Sequence, residues 1–372
     1  MAGTARLLIA GTDSDILYAT GLRIHDPFVW IQMGKKNYIL VSPLELARAK
    51  QEAKRSNKVV CWDRIDTSNI RKPVGRRRNQ ADIAASVLIS FNITEVMVPE
   101  SIWALHVEIL REHGLRVRIA SPFFPQRMRK SPEEIAAIKR SGLITKKAFN
   151  HCLRILKEST IDWNDTLIHQ GKRLTSEMLK EEMHRIFLAG GFTGGDIIVS
   201  CGEQSAQPHN TGTGLLYAGQ PIVFDIFPRD DRTGYYFDMS RTVVKGTPSE
   251  DLRRMHAAVR NAQLAGIAAV KPGAKASDAH AACQAVFDRL GYKTYEEEGF
   301  IHSTGHGVGL DLHERPSIGV KSDEILEPGM VITIEPGLYY KEIGGVRIED
   351  TVLVSPNGCV NLTNVPKSLI IK

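Results

Sequence analysis

Few cysteines, no long apolar run and no heavy charge of one sign mark this sequence, and each lack excludes something. The five cysteines among 372 residues, Cys61, Cys152, Cys201, Cys283 and Cys359, are scattered, odd in number and free of C-x-x-C spacing. That argues against a disulfide framework and for reduced thiols, so a cytoplasmic location is expected. No stretch approaches the roughly 18 consecutive apolar residues that span a bilayer, and no membrane partner is expected. The apolar run within Met1 to Gly11 is too short for the apolar region of a signal peptide. Net charge is only +6. The one dense basic run, Arg71, Lys72, Arg76, Arg77 and Arg78, is neither interleaved with aromatics nor set on a nucleic-acid motif. We expect a solvated loop or helix start there, an acidic partner or subunit contact being the alternative, and no nucleic-acid partner.

What is present describes a two-domain α/β (α+β) protein. A hydrophobic content of 42% with 24% charged residues is ordinary for a globular chain, and the length accommodates two cores. Residues 1–125 alternate β-rich runs (Leu7 to Ala10, Phe28 to Met33, Tyr38 to Val41, Val59 to Trp62) with helical stretches at Pro43 to Lys54, Asn79 to Ile89 and Ser101 to His113. This pattern predicts a mixed-sheet domain, with Ser42 as a helix cap. The boundary falls near Pro122 to Lys130, before Ser131-Pro132-Glu133-Glu134. Serine, proline at the first helical position and acids in the first turn open a long helix. Residues 126–372 then form the second domain, with helices near Thr175 to Ala189, Ser249 to Val270 and Ser277 to Leu290 on an antiparallel sheet; Lys271-Pro272-Gly273 parts the last two. Trp30, Trp62 and Trp103 are expected in the first core, or else one of them closes a neighbouring subunit's pocket.

Four acids in the second domain follow a repeated pattern. Leu216, Gly219, Asp225 and Asp238 recur as Leu326, Gly329, Glu335 and Glu349: leucine, glycine three residues on, an acid six further on ending an apolar strand, and a second acid 13 or 14 residues later. An acid at the end of a buried strand must leave water, which costs several kcal/mol unless it is paired or given a metal. The alternative is four solvent-facing hairpin acids paired with Arg241 and Arg347, but the repeat points to duplicated halves whose acids meet at a pseudo-twofold axis. Between the hairpins, His302, His306 and His313 fall within 12 residues, with glycines at 305, 307 and 309 that rule out a stable helix. A bend entering a strand fits better, supplying one ligand and proton-handling groups. Four carboxylates with a histidine suit manganese, iron, cobalt or zinc.

The series PIVFD, FDMSRT, HSTGHGVGLDLHE, TIEPGLY and GGVRIED resembles the pita-bread metallopeptidases, which include methionine aminopeptidase, aminopeptidase P and prolidase. The first 125 or so residues resemble the creatinase-type N-terminal domain that the proline-directed members carry and methionine aminopeptidase lacks. The resemblance implies two divalent metal ions per chain, manganese first and cobalt, zinc or iron as alternatives. Asp225 would be a terminal ligand of one, His306 and Glu335 terminal ligands of the other, and Asp238 and Glu349 bridges. It makes a bridging hydroxide the nucleophile, with Glu335 accepting the proton of the parent water. His209, His302 and His313 would line the pocket, His209 and His313 at the peptide carbonyl, with Arg347 and Tyr339 supporting the same network.

The implied substrate is a peptide with proline at its second position, and the implied assembly a homodimer or homotetramer. Three departures stand out: a Pro228 to Gly234 loop about two residues longer than usual, Ser240 where threonine is common, and Ser317 where archaeal-type prolidases place an arginine for a dipeptide's carboxylate. Arg315 stands two residues before Ser317. The lack of a cation at position 317 favours an Xaa-Pro aminopeptidase, with Xaa-Pro dipeptidase as the alternative; a non-catalytic peptide-binding module and a metal-free amidinohydrolase are more remote.

Overall fold

The β-rich runs of the first part assemble into one mixed sheet. In the computed structural model, which describes residues 3–371, contacts divide the chain into two compact units, Met1–Pro125 and Gln126–Lys372. The first unit holds strands β1 (Gly3–Ala10), β2 (Phe28–Met33), β3 (Lys36–Val41), β4 (Asn57–Cys61), β5 (Ile93–Pro99) and β6 (Arg116–Ala120), in the order β4-β3-β2-β1-β5-β6. β2 is antiparallel to β1 and β3, while β3/β4, β1/β5 and β5/β6 are parallel. Two of the parallel pairs are bridged by helices Leu46–Glu52 and Ala104–Glu112, the crossover such pairs need. Both faces are covered: Leu7 and Ile9 join one apolar cluster and Leu8 the other, the period-two alternation of a strand.

Details of this unit agree with the sequence reading at Asn79, Trp30 and the basic run, and differ from it at Ser42 and Trp103. Asn79 caps helix Gln80–Ser90 in a reciprocal box with Asp82. Ser42 is no cap, because Ser42 to Glu45 is spent on a turn in which the Glu45 amide donates to the Ser42 carbonyl, and the helix starts at Leu46. Trp30 is a core residue and Trp62 packs at the core's edge, whereas Trp103 is 63% exposed. It precedes the first turn of Ala104–Glu112 and stacks on His106. The basic run lies in a loop, with Arg76 held by Asp82 and Arg78 by Thr67.

In the second unit Ser131 accepts from the Glu134 amide and Glu134 reaches back to the Ser131 amide, opening the 27-residue helix Pro132–Glu158. That helix and Ser176–Gly190 back a three-stranded antiparallel sheet of Ile198–Cys201, Ile222–Ile226 and Met239–Val243. Helices Glu250–Ala269 and Ala276–Arg289 lie behind a five-stranded antiparallel sheet that includes Gly305–Gly307, Val331–Ile334 and Asp350–Ser355. The repeated pattern has a structural cause in both halves. Leu216 and Leu326 are buried in their respective cores. Gly219 (φ +75°) and Gly329 (φ +93°) make left-handed turns into the strands, where a Cβ would also crowd the carbonyls of Thr247 and Lys130. Among the described residues no helix is long and apolar enough to cross a membrane.

Candidate metal centre

All four acids sit at the ends of paired strands. Asp225 lies in Ile222–Ile226 opposite Ser240, and Asp238 immediately precedes Met239–Val243. Glu335 follows Val331–Ile334 and Glu349 precedes Asp350–Ser355, with the hairpin Gly337–Tyr340/Gly344–Arg347 inserted between them. His306 is the middle residue of Gly305–Gly307, a strand rather than a helix. A Cβ at Gly305 would run into the Thr333 carbonyl, so only glycine lets this strand lie so close.

The strand ends bring the acids and His306 together. Asp225, Asp238 and Glu349 form one set whose ligand atoms lie within 4.8 Å of one another; His306, Glu335 and Glu349 form a second, and Asp238, His306 and His313 a third. Asp238 and Glu349 thus belong to two sets each. His313, expected outside the ligand set, places a ring nitrogen within the same span of Asp238 and His306.

The electrostatics describe a site built for more positive charge than the protein supplies. Asp238 Oδ1 and Glu349 Oε1 are buried with no hydrogen-bond partner. Burial pushes both carboxyls well above the usual carboxylate range, and the neighbouring acids push the same way. Divalent cations would satisfy both orphaned oxygens, so the residues fit the group. His306 Nε2 lies 3.3 Å from Glu335 Oε1 and 3.6 Å from Asp238 Oδ2, with Nδ1 donating to the Gly307 carbonyl. Burial alone would lower the His306 pKa, but Glu335 and Asp238 outweigh it and raise it to about 9. Burial likewise works to raise Glu335, yet His306 holds it at about 2. Thr333 Oγ1 supports both, accepting from the His306 amide and donating to Glu335; as a β-former in a strand it gives no sequence signal.

Arg347 is the hub behind the acids. It donates to Asp225 Oδ2 (2.8 Å), Ser240 Oγ (2.8 Å), Tyr339 Oη (2.9 Å) and the Pro208 carbonyl (3.1 Å). Ser240 Oγ in turn lies 2.9 Å from Asp225 Oδ1 and 3.0 Å from Glu349 Oε2, keeping the hydroxyl's role. Since Arg347 only donates, the Tyr339 proton goes to His302 Nε2 (3.0 Å), and His302 Nδ1 donates to the Ser303 carbonyl (2.7 Å). Both His302 nitrogens are therefore occupied and the ring is neutral, consistent with burial lowering its pKa. His302 walls a cavity of about 510 Å³ with Gln207, Pro208, the exposed His209, Asn210 and Ile301.

The alternative of four solvent-facing acids paired with Arg241 and Arg347 gives way: Asp238 and Glu349 are buried, and Arg347 joins Tyr339 and Asp225 in the network that the resemblance implies. Arg241 pairs with Asp350 (2.7 Å) and Arg347 with Asp225. Side chains alternate along a strand, so the neighbour of site-facing Ser240 points away. There Arg241 also donates to the Glu349 carbonyl and to those of Val365 and Pro366, a buried anchor that the sequence reading missed.

Residues 136–356 match the model of metallopeptidase family M24. The uncharacterized peptidase YqhT of Bacillus subtilis is 35% identical over 258 residues, 68% of this chain and 67% of its own length. An Xaa-Pro dipeptidase of Pyrococcus furiosus is 35% identical over 245 residues, 66% of this chain and 65% of its own length. The chain is thus aligned with about two thirds of each relative. The solved Xaa-Pro dipeptidase from Bacillus anthracis superposes with a TM-score of 0.83 at 25% identity, covering 98% of this chain and 94% of that one. With four strand-end acids and a histidine gathered within the matched span, the chain belongs to metallopeptidase family M24.

Proposed function

We propose that this chain is a dinuclear-metal exopeptidase that hydrolyses Xaa-Pro bonds, with Xaa-Pro dipeptides as its main substrates. The observation that carries the reading is the pair of orphaned, buried oxygens on Asp238 and Glu349 at the centre of three overlapping ligand sets. On this reading Asp225, Asp238, His306, Glu335 and Glu349 hold two divalent ions, manganese by preference and cobalt, zinc or iron as alternatives. Bound there, such ions acidify a water and polarise the scissile carbonyl.

The remaining roles belong to the chain's own residues. Glu335, held ionised beside His306, takes the proton from the attacking water. His313, whose pKa burial lowers, is a neutral donor toward the developing oxyanion, with His209 at the cavity mouth alongside it. His302 has no free nitrogen, so it shapes the cavity wall, fixed by Tyr339 and Arg347. Residues 1–125 are, on the same reading, a creatinase-type domain and 126–372 the catalytic domain.

The dipeptide preference rests on the P. furiosus and B. anthracis relatives named for it. One observation favours an Xaa-Pro aminopeptidase instead. Ser317 faces His306 across the ladder and offers no cation, while Arg315 spends Nε and an amino group on Glu324, at 2.9 and 2.6 Å. A dipeptide's carboxylate would have to win Arg315 from Glu324. Hydrolysis of Ala-Pro and Ala-Pro-Ala by metal-stripped protein resupplied with manganese decides. Cleavage of Ala-Pro alone supports the dipeptidase, equal or preferred cleavage of the tripeptide the aminopeptidase, and cleavage of neither refutes both.

A further inference from the structure

His313 occupies the centre of the proposed mechanism, yet little holds it directly. The residue keeps one edge exposed while its ring turns into the site against the His306 ring, centroids 4.2 Å apart at 72°, and no hydrogen bond to its imidazole is found among the described residues. The loop that carries it, between strands Gly305–Gly307 and Glu314–Ile318, is instead tied down on both sides. Asp311, two residues before, and Glu314, one after, both receive the same amino group of Arg127, at 2.6 and 2.7 Å. The other Glu314 oxygen receives Lys130 Nζ at 2.8 Å.

This cluster is costly to assemble. The Lys130 side chain is 1% exposed and that of Glu314 10%. Burying paired charges gains little stability over an apolar packing of the same volume, and breaking one partner away is strongly destabilising. What such a cluster does provide is geometry. The Glu314 carboxylate lies over Gly309, where a Cβ would meet Oε1 at 2.5 Å, and the Gly309 amide donates to the Asp311 carbonyl at 3.0 Å. The loop is thus folded back on itself and fastened to the segment that precedes helix Pro132–Glu158.

We infer that Arg127 and Lys130 are positioning residues for His313: they fix the backbone on either side of it through Asp311 and Glu314, and touch neither substrate nor metal. The inference rests on the proposed hydrolase reading for its kinetic consequence and on geometry alone for its structural one.

The test is Arg127→Met, with Arg127→Lys as the conservative variant and Glu314→Gln as an independent one should Arg127→Met fail to fold. A misplaced polar group costs roughly 10- to 100-fold in rate. Arg127→Met should lower kcat on Ala-Pro by about that factor with KM little changed and two manganese ions per chain retained, and Arg127→Lys should recover part of the loss. In a His313→Ala background the same substitution should have no further effect, because the residue it positions is gone. In metal-free protein, hydrogen exchange should accelerate in peptides spanning residues 308–314 and nowhere else. Additive losses in the double variant, or a kcat loss that tracks lost metal, would overturn the role. Should the wild type cleave no Xaa-Pro peptide, the exchange measurement still decides: local acceleration supports the clamp, and none or a uniform change overturns it.

Discussion

Replacing Arg347 by methionine removes a buried guanidinium of which the side chain is 4% exposed, while keeping an unbranched apolar stem. In metal-free protein this strands Asp225 Oδ2 without its ion partner and takes donors from Ser240, Tyr339 and the Pro208 carbonyl. Breaking a buried pair from one side costs about 3–5 kcal/mol. In manganese-loaded protein Asp225 faces a cation instead, so the charged part of that loss, about 1.5–3 kcal/mol for one such bond, is offset. Urea unfolding in chelator and in saturating manganese should therefore give a smaller destabilisation with metal. By the thermodynamic cycle the variant should bind metal at least about tenfold more tightly, since 1.4 kcal/mol is a factor of ten. Turnover should fall nonetheless, because Tyr339 loses the donor that directs its proton to His302. An equal cost in both states, or weaker metal binding, would refute the view that Arg347 and a cation share Asp225.

Arg241→Met takes from Asp350 one of its two cationic partners, Lys367 remaining, and lies away from the orphaned oxygens; it should cost about 1.5–3 kcal/mol in urea unfolding, equally with and without metal, and a metal-dependent cost would contradict its assignment as a structural anchor. Asp82 gives a pH dependence outside the site. Burial works to raise its pKa, but Arg76, His113 and the Asn79 amide hold it at about 2 against an ordinary 3.8. A depressed acid contributes stability above pH 3.8 that is lost as pH falls toward 2. Asp82→Asn should thus cost about 2 kcal/mol at neutral pH and flatten thermal stability across that window, and an unchanged acid limb would contradict it. Gly305→Ala should push the His306 strand off the Thr333 carbonyl and reduce manganese content below two per chain; full occupancy would show that the close approach is dispensable.

Much of the site was legible because its chemistry is written in short spacings. The Leu-Gly-acid repeat could be read since each element does one local job: a buried leucine, a left-handed glycine and a strand-end acid. Ser131-Pro132 and Asn79 were legible as helix starts for the same reason. The partners of the two arginines show where such reading stops. Arg241 stands beside Ser240 in sequence but on the opposite face of the strand, and Arg347 reaches an acid 122 residues away. The Arg127 contact with Asp311 spans 184 residues and no local pattern encodes it. Trp103 does not join the first core because it stands before the first turn of its helix and covers His106 with one ring face, leaving the other in solvent.

A manganese titration of the metal-stripped chain bears on the dinuclear site without intermediaries: bound metal is counted and Ala-Pro and Ala-Pro-Ala hydrolysis followed in the same samples, beside Glu349→Gln. Two ions per chain, activity that rises as the sites fill, and loss of both in the variant are expected. Activity without bound metal, or two ions bound with neither peptide cleaved, would rule out a dinuclear Xaa-Pro peptidase.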